Sequence, residues 1–359
     1  MSRPISATIN LNAVRHNYRL AKQLAPASRA LAVVKADAYG HGAVRVSLAL
    51  QDEADGFAVA SIEEALELRE AGITGPILLL EGFFSADELP LIAHNELSLV
   101  IHREDQIEAL AQYEQIAQFD IWLKIDIGMH RLGVPQDQAQ RIIEQLSSLA
   151  CVKELTLMGH FACADELDNP RTEAQLNTFL QIAGDKALPL SLSNSAAILG
   201  WPATHKQWSR PGLMLYGASP FETKHDVASQ LRPAMTLASE VIAMREIEVG
   251  ESVGYGASWT ATRPSRIGTL AVGYADGYPR QVRSGAPIII DGERTQIVGR
   301  VSMDMICVDL TDIPQADIGS QAELFGEQLL ASELAPWADT IPYTLFTGIT
   351  RRVPKTYLD

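Results

Sequence analysis

The sequence predicts an α/β fold, and three observations carry that prediction. Eight short apolar, β-branched runs recur at residues 31–34, 57–60, 77–80, 97–101, 121–125, 155–158, 190–192 and 212–216. Stretches rich in Glu, Ala, Leu and Gln separate most of them, and beyond about Gln230 the pattern changes to alternating strand segments punctuated by glycine. Near-continuous apolar strands alternating with helices imply a parallel sheet covered on its outside, and eight such units imply closure. The expected architecture is therefore an N-terminal (β/α)8 TIM-like barrel over residues 1–230, followed by a mainly-β domain over residues 231–359.

Taken in order, residues 7–11 form an opening strand, and residues 12–25 show helical spacing of Val14, Tyr18, Leu20 and Leu24 behind the possible cap Asn12. The barrel repeat follows, with helices expected at residues 61–71 and 137–149. An open doubly wound sheet is the alternative. The barrel is preferred because the polar residues that could do chemistry, Lys35, Glu81, Asp126, His160, Asn194 and Arg210, fall just after many different strands, whereas an open sheet gathers its site at one switch point. After the junction near Gln230 and Pro233, strands are expected at residues 237–244, 267–272, 288–290 and 305–308, with a turn at Asp291-Gly292.

Composition narrows the function. The chain has 359 residues, of which 47 % are hydrophobic and 20 % charged, as expected of a folded globular protein. A formal charge of −15 opposes nucleic acid and anionic lipid and favours a small-molecule substrate. The segment from Met1 to Ala7 lacks the apolar core of a signal peptide, and no apolar run is long enough to span a membrane. Three cysteines without a Cys-x-x-Cys pair suggest neither disulfides nor a zinc ribbon, and a reducing cytoplasm is the expected location. No metal site, Walker loop or His-Glu-x-x-His motif is expected.

Chemistry concentrates around Lys35, in Ala32-Val33-Val34-Lys35-Ala36-Asp37-Ala38-Tyr39-Gly40-His41-Gly42. A lysine among apolar residues tends toward a lowered pKa, which makes its amine a usable nucleophile toward an aldehyde. Seven further segments follow this one, the first six being Lys124-Ile125-Asp126-Ile127-Gly128-Met129-His130-Arg131-Leu132-Gly133, Gly159-His160-Phe161, Ser193-Asn194-Ser195-Ala196-Ala197, Arg210-Pro211-Gly212-Leu213-Met214-Leu215-Tyr216-Gly217, Gly254-Tyr255-Gly256 and Gly273-Tyr274-Ala275-Asp276-Gly277-Tyr278-Pro279-Arg280. Gly299-Arg300-Val301-Ser302-Met303-Asp304 comes last. In type and order these segments resemble the motifs of alanine racemases, along the whole chain.

That resemblance implies an isomerase that interconverts L- and D-alanine on pyridoxal phosphate, working as a homodimer whose sites take residues from both subunits. It makes Lys35 the cofactor-carrying Schiff-base lysine and an acid/base on one face of the substrate, and Tyr255 of the neighbouring subunit the acid/base on the other. An ordinary phenol, with a pKa of about 10, is a poor base at neutral pH, so donors must help it. The resemblance supplies a line from Arg210 through His160 toward Tyr255. It also sets Arg210, rather than a carboxylate, against the pyridine nitrogen, which that guanidinium cannot readily protonate.

For the phosphate the resemblance assigns Tyr39, Ser195, Gly212 and Leu213, with Asn194 beside them. Arg351 stands where some family members have a phosphate-contacting tyrosine, and is either a replacement for it or part of a surface basic pair. Arg131 holds the substrate carboxylate or the cofactor's phenolic oxygen. Lys124 corresponds to a lysine that is carbamylated in some members, the alternative being a structural lysine paired with Asp126. Met303, Asp304 and Tyr274 resemble residues at the substrate approach. A narrow pocket favours alanine, although one methylene is worth only about 1–3 kcal/mol. A broader or serine-preferring racemase is the alternative, while a decarboxylase on the same barrel and a cofactor carrier lacking the β-domain fit the motifs less well.

Overall fold

Short strands buried on both faces build the larger unit. In the computed structural model, which describes residues 3–113 and 117–359, eight parallel strands close a barrel. With the opening strand β1 (Ile5–Asn10) counted first, they are β2 (Arg29–Val33), β3 (Gly56–Val59), β4 (Ile77–Leu79), β5 (Leu97–Ile101), β6 (Phe119–Lys124), β7 (Val152–Met158), β8 (Leu190–Ser191) and β9 (Trp208–Ser209). Every residue of β3, β4 and β5 is buried, as a sheet covered by helices requires. Closure comes from the pairing of Ala30 in β2 with Ser209 in β9.

The covering helices bury one stripe each. In the helix Ala139–Ser148 the buried residues are Ala139, Ile142, Ile143 and Leu146, a spacing of three, four and seven that keeps one face on the sheet. The helix expected at residues 61–71 runs from Ile62 to Glu70 with Ser61 at its start. At the first helix, Leu11–Leu24, the cap is Asn10 rather than Asn12: the Asn10 carboxamide oxygen accepts the Ala13 N–H at 3.0 Å.

The eighth strand is also displaced from its expected place. Residues 212–216 are not a strand; β9 lies just before them, and Leu213–Tyr216 is a 3-10 turn. Its side chains are buried, and an apolar run of four cannot by itself distinguish a strand from a buried helical turn.

The chain divides into two compact units, one of Arg15–Leu215 with Ser219–Leu231, and one of Met1–Val14, Tyr216–Ala218 and Arg232–Asp359. The second unit continues with β10 (Met235–Ile247), β11 (Ser252–Val253), β12 (Trp259–Thr260), β13 (Ser265–Leu270), β14 (Pro287–Ile290), β15 (Glu293–Gln296), β16 (Ile306–Asp309), β17 (Gln321–Phe325) and β18 (Lys355–Leu358). Its main sheet runs β15-β14-β17-β10-β1-β18, with β13 bridging β10 to β16. Although β1 precedes the barrel in sequence, it pairs here, antiparallel to β10 and parallel to β18. The turn at Asp291-Gly292 joins β14 to β15 with φ of 47° and 84°, the two positive values that a tight hairpin requires.

Candidate active site

Parallel strands deliver their C-terminal ends to one side of a barrel, and most of the chemistry-bearing residues of the first unit sit there. Lys124 ends β6, and Arg210 immediately follows β9. Lys35, Glu81, Asp126 and His160 each lie two residues beyond β2, β4, β6 and β7, and Asn194 lies three beyond β8.

Lys35 opens an unusual turn. Ala36, Asp37, Ala38 and Tyr39 all have left-handed backbone, with φ of 51–53° and ψ of 43–52°. For L-residues with a Cβ this costs about 1–2 kcal/mol each, and such residues normally occur singly. The turn carries Tyr39 inward, where it is buried against Gly212. A Cβ at Gly212 would lie 2.8 Å from the Tyr39 hydroxyl and 3.6 Å from Val33 Cβ, so only glycine leaves this backbone open to an approaching group. Beside it the Ser195 hydroxyl accepts the Gly212 N–H at 3.0 Å and the Met214 N–H at 3.1 Å. Tyr39, Ser195 and Gly212 thus converge, with Leu213 adjacent. Asn194 uses its carboxamide oxygen to cap the next helix at the Ala197 N–H, 3.0 Å away.

Cations fill the centre of the barrel end. Arg210 is buried and donates to the Ser191 hydroxyl at 2.5 Å, the Gly159 carbonyl at 2.7 Å and the Leu192 carbonyl at 3.2 Å. Burial pushes its pKa down to about 10. The same guanidinium reaches His160 Nδ1 at 3.4 Å, a contact that requires a neutral ring protonated on Nε2. Burial, then Arg210, Lys124, Arg131 and Lys35, hold His160 well below the usual imidazole range. Lys124 is buried, and its amine is pushed down to about 8 by burial and by Arg210, Arg131 and Lys35, against an opposing pull from Glu81.

Asp126 is not the partner of Lys124. Its carboxylate instead accepts the N–H groups of Gly128, Met129 and His130 at 2.9–3.1 Å and contacts His130 Nδ1 at 3.0 Å. It thereby shapes the loop that carries Arg131. Among the described residues no ion pair joins Asp126 to Lys124, and no group of His, Cys, Asp and Glu could hold a metal ion.

Tyr255, Tyr274, Met303, Asp304 and Arg351 belong to the other unit. Tyr255 is 72 % exposed between Gly254 and Gly256, whose φ values of 75° and 74° bend the chain around it. Met303 and Tyr274 are also exposed, at 53 % and 37 %, and are held together because Tyr274 N–H donates to the Ser302 carbonyl and Ala275 N–H to the Met303 carbonyl. The Asp304 carboxylate accepts from Arg352 at 2.6 Å. Buried Asp276 receives both Arg3 Nη1 at 2.5 Å and Nη2 at 2.8 Å, and Arg3 Nη2 also donates to the Asp304 carbonyl. Arg351 is exposed between Thr350 and Arg352, both of which tie into this network.

Sequence reasoning did not find Ser191, which anchors Arg210, or Glu64, whose carboxylate accepts the N–H following Lys35 at 2.7 Å. Their partners lie 19 and 28 residues away, and only the place of Ser191 in a strand of the barrel gave any signal.

Residues 9–220 match the family model "Alanine racemase, N-terminal domain", and residues 234–357 match "Alanine racemase, C-terminal domain". An alanine racemase of Pseudomonas entomophila is 55 % identical over 98 % of both chains. The crystal structure of a biosynthetic alanine racemase from Pseudomonas aeruginosa superposes with a TM-score of 0.96 at 49 % identity, covering 99 % of this chain and 100 % of that one. One from Bartonella henselae, described with covalently bound pyridoxal phosphate, has a TM-score of 0.90 at 30 % identity, covering 99 % of each. With both domain models matched in order and relatives covering nearly its full length, the chain belongs to the alanine racemase family.

Proposed function

We propose that this chain interconverts L- and D-alanine with pyridoxal phosphate held at the C-terminal end of the barrel, Lys35 and Tyr255 acting on opposite faces of the substrate's α-carbon. As a member of its family it is a pyridoxal-phosphate-dependent isomerase. When bound, the cofactor supplies an electron sink that makes the α-hydrogen acidic.

One observation carries the reading: in a chain of net charge −15, Lys35, Lys124, Arg131 and Arg210 gather at one end of the barrel beside a backbone cradle that a Cβ at Gly212 would fill. The residues present fit the cofactor. Tyr39, Ser195 and the backbone at Gly212 and Leu213 would hold its phosphate, with Asn194 capping the helix that Ser195 opens and Arg351 a further candidate for that role. Arg210, which has only N–H donors to offer, would stand against the ring nitrogen and would have no proton to give it. Lys35 Nζ takes or returns the α-proton on one face. The Tyr255 hydroxyl of a second copy does so on the other, and the neutral His160, donating through Nε2, supports its phenolate.

Arg131 fixes the substrate carboxylate, while Tyr274, Met303 and Asp304 of the second copy shape its approach. Lys124 serves best as a carbamate: an ammonium near pKa 8 gives up one proton to leave an appreciable neutral fraction, and that amine adds to CO2, forming an N–C bond as a C=O π bond opens and losing a second proton, so that a crowded cation becomes an anion beside Arg131. A carbonyl resonance from labelled bicarbonate that disappears in Lys124→Met checks that step. The working enzyme is a cytoplasmic homodimer with small-molecule substrates.

Borohydride reduction of the cofactor-loaded protein, followed by peptide mapping, should place the label on Lys35, and recovery on another lysine would sink the assignment. In single-turnover isotope exchange Tyr255→Phe should impair L-alanine far more than D-alanine. Equal impairment argues against the division of faces. Racemisation of alanine and serine measured side by side separates the strict from the broad reading.

A further inference from the structure

A left-handed turn of four L-residues does not persist on its own propensity, so something outside it must hold it. Three contacts do. Asp37 accepts the Ala43 N–H at 2.8 Å through its carboxylate and the Gly42 N–H through its carbonyl. The buried His41 ring sets Nδ1 3.0 Å from both the Ala38 and Tyr39 carbonyls. These two fasten the far end of the turn. At the near end, next to Lys35, the fastening comes from another helix: one carboxylate oxygen of Glu64 accepts the Ala36 N–H at 2.7 Å, and the other accepts the Ala60 N–H at 2.7 Å.

Glu64 is the third residue of the helix Ile62–Glu70, the position from which a glutamate commonly reaches back to the start of its own helix. Here one oxygen reaches back and the other crosses to the lysine segment. Ala60 directly follows β3, and Ala36 follows the residue pair after β2, so a single carboxylate ties the ends of two adjacent barrel strands. Both bonds are charge-assisted, and the Ala36 N–H belongs to the start of a helical turn, where amide groups lack partners within the turn itself.

We infer that Glu64 is a positioning residue: it locks the left-handed turn so that Lys35 and Tyr39 are presented to the cofactor's carbonyl carbon and phosphate in one fixed geometry. The inference rests on the assignment of Lys35 proposed above. Neither the relatives' names nor the sequence motifs point to Glu64, whose carboxylate is engaged by the Ala36 and Ala60 N–H groups.

The test compares wild type, Glu64→Ala and Glu64→Gln as full-length proteins. Apoprotein is mixed with pyridoxal phosphate, the yellow colour is followed in time, and borohydride is added at intervals to count label on Lys35. Glu64→Ala loses both acceptors and should form the Lys35 adduct on the order of tenfold more slowly. Glu64→Gln keeps one acceptor but turns an NH2 toward the other N–H, and should fall between the two. The visible absorbance of the loaded protein and its pH titration should shift in both variants, kcat should fall with little change in KM for alanine, and hydrogen exchange across residues 34–43 should quicken while the rest of the barrel keeps its protection.

Wild-type rate, spectrum and exchange in Glu64→Ala overturn the inference. Should that variant fail to fold, the same result in Glu64→Gln overturns it equally. If wild type itself labels a lysine other than Lys35, the functional reading falls and takes this inference with it. If Lys35 is labelled normally in all three proteins, only the role of Glu64 is lost.

Discussion

Burial does most to keep His160 neutral, and Arg210 is first among the charges that add to it. Replacing Arg210 by Gln should therefore raise the His160 pKa toward the ordinary value of about 6.5, seen as a shift in the pH titration of its ring resonances. A titration that stays in place would assign the effect to burial alone. Lys124 makes the complementary case at alkaline pH. Its amine is near 8 when folded against about 10.5 when unfolded, so between those values the unfolded chain binds more protons. Stability should then rise with pH across that window, by roughly 3 kcal/mol in carbonate-free buffer, and the rise should be missing in Lys124→Met. Urea unfolding of the two proteins at pH 7, 8.5 and 10 measures it, and parallel curves would contradict it.

At this scale the sequence was readable where neighbours in the chain do the work. The segment from Lys35 to Gly42 and the pair Asn194-Ser195 stood out as contiguous stretches that resemble the family's motifs. Glu64 and Ser191 do not, because a glutamate in a helix and a serine in a strand look ordinary until the barrel brings their partners to them.

Among the elements, the barrel strands were legible because residues buried on both faces leave an unbroken apolar signature. The eighth was misplaced for the same reason: Trp208-Ser209 is too short to register, whereas the buried turn Leu213–Tyr216 carries the stronger apolar signal. The Asp291-Gly292 hairpin was read correctly because its backbone demands those residue types. Loops held by long-range contacts were not readable. Gly277, with φ of 102°, packs so closely that a Cβ would collide with the Gly348 carbonyl, and Thr350 N–H donates to the Asp276 carbonyl beside it. Gly277→Ala should cost about 2–4 kcal/mol through both strain and displacement of the 348–353 segment. Denaturant midpoints read the loss, and a change under 0.5 kcal/mol, roughly the scatter of surface substitutions, would show that the two loops move apart freely.

For the whole molecule, the proposal that each site draws on two copies makes a sharp prediction. Lys35→Ala and Tyr255→Phe proteins should each be inactive alone. After co-refolding, random pairing makes half of the dimers mixed, each with one intact site, so activity should return to roughly a quarter of wild type. No recovery, with mixed dimers demonstrated by mass spectrometry, would place both groups in one polypeptide.

The position of β1 between β10 and β18 also bears on how the chain is born. Ile5 pairs with Ser239, and Ala7 with Lys355. At ribosomal rates the first strand therefore emerges roughly ten to fifty seconds before its first partner exists, and longer before its second. Throughout that wait it is an exposed apolar ribbon ahead of a barrel that can already condense behind it, a natural target for holding chaperones and the point at which crowded polysomes are most prone to tangle.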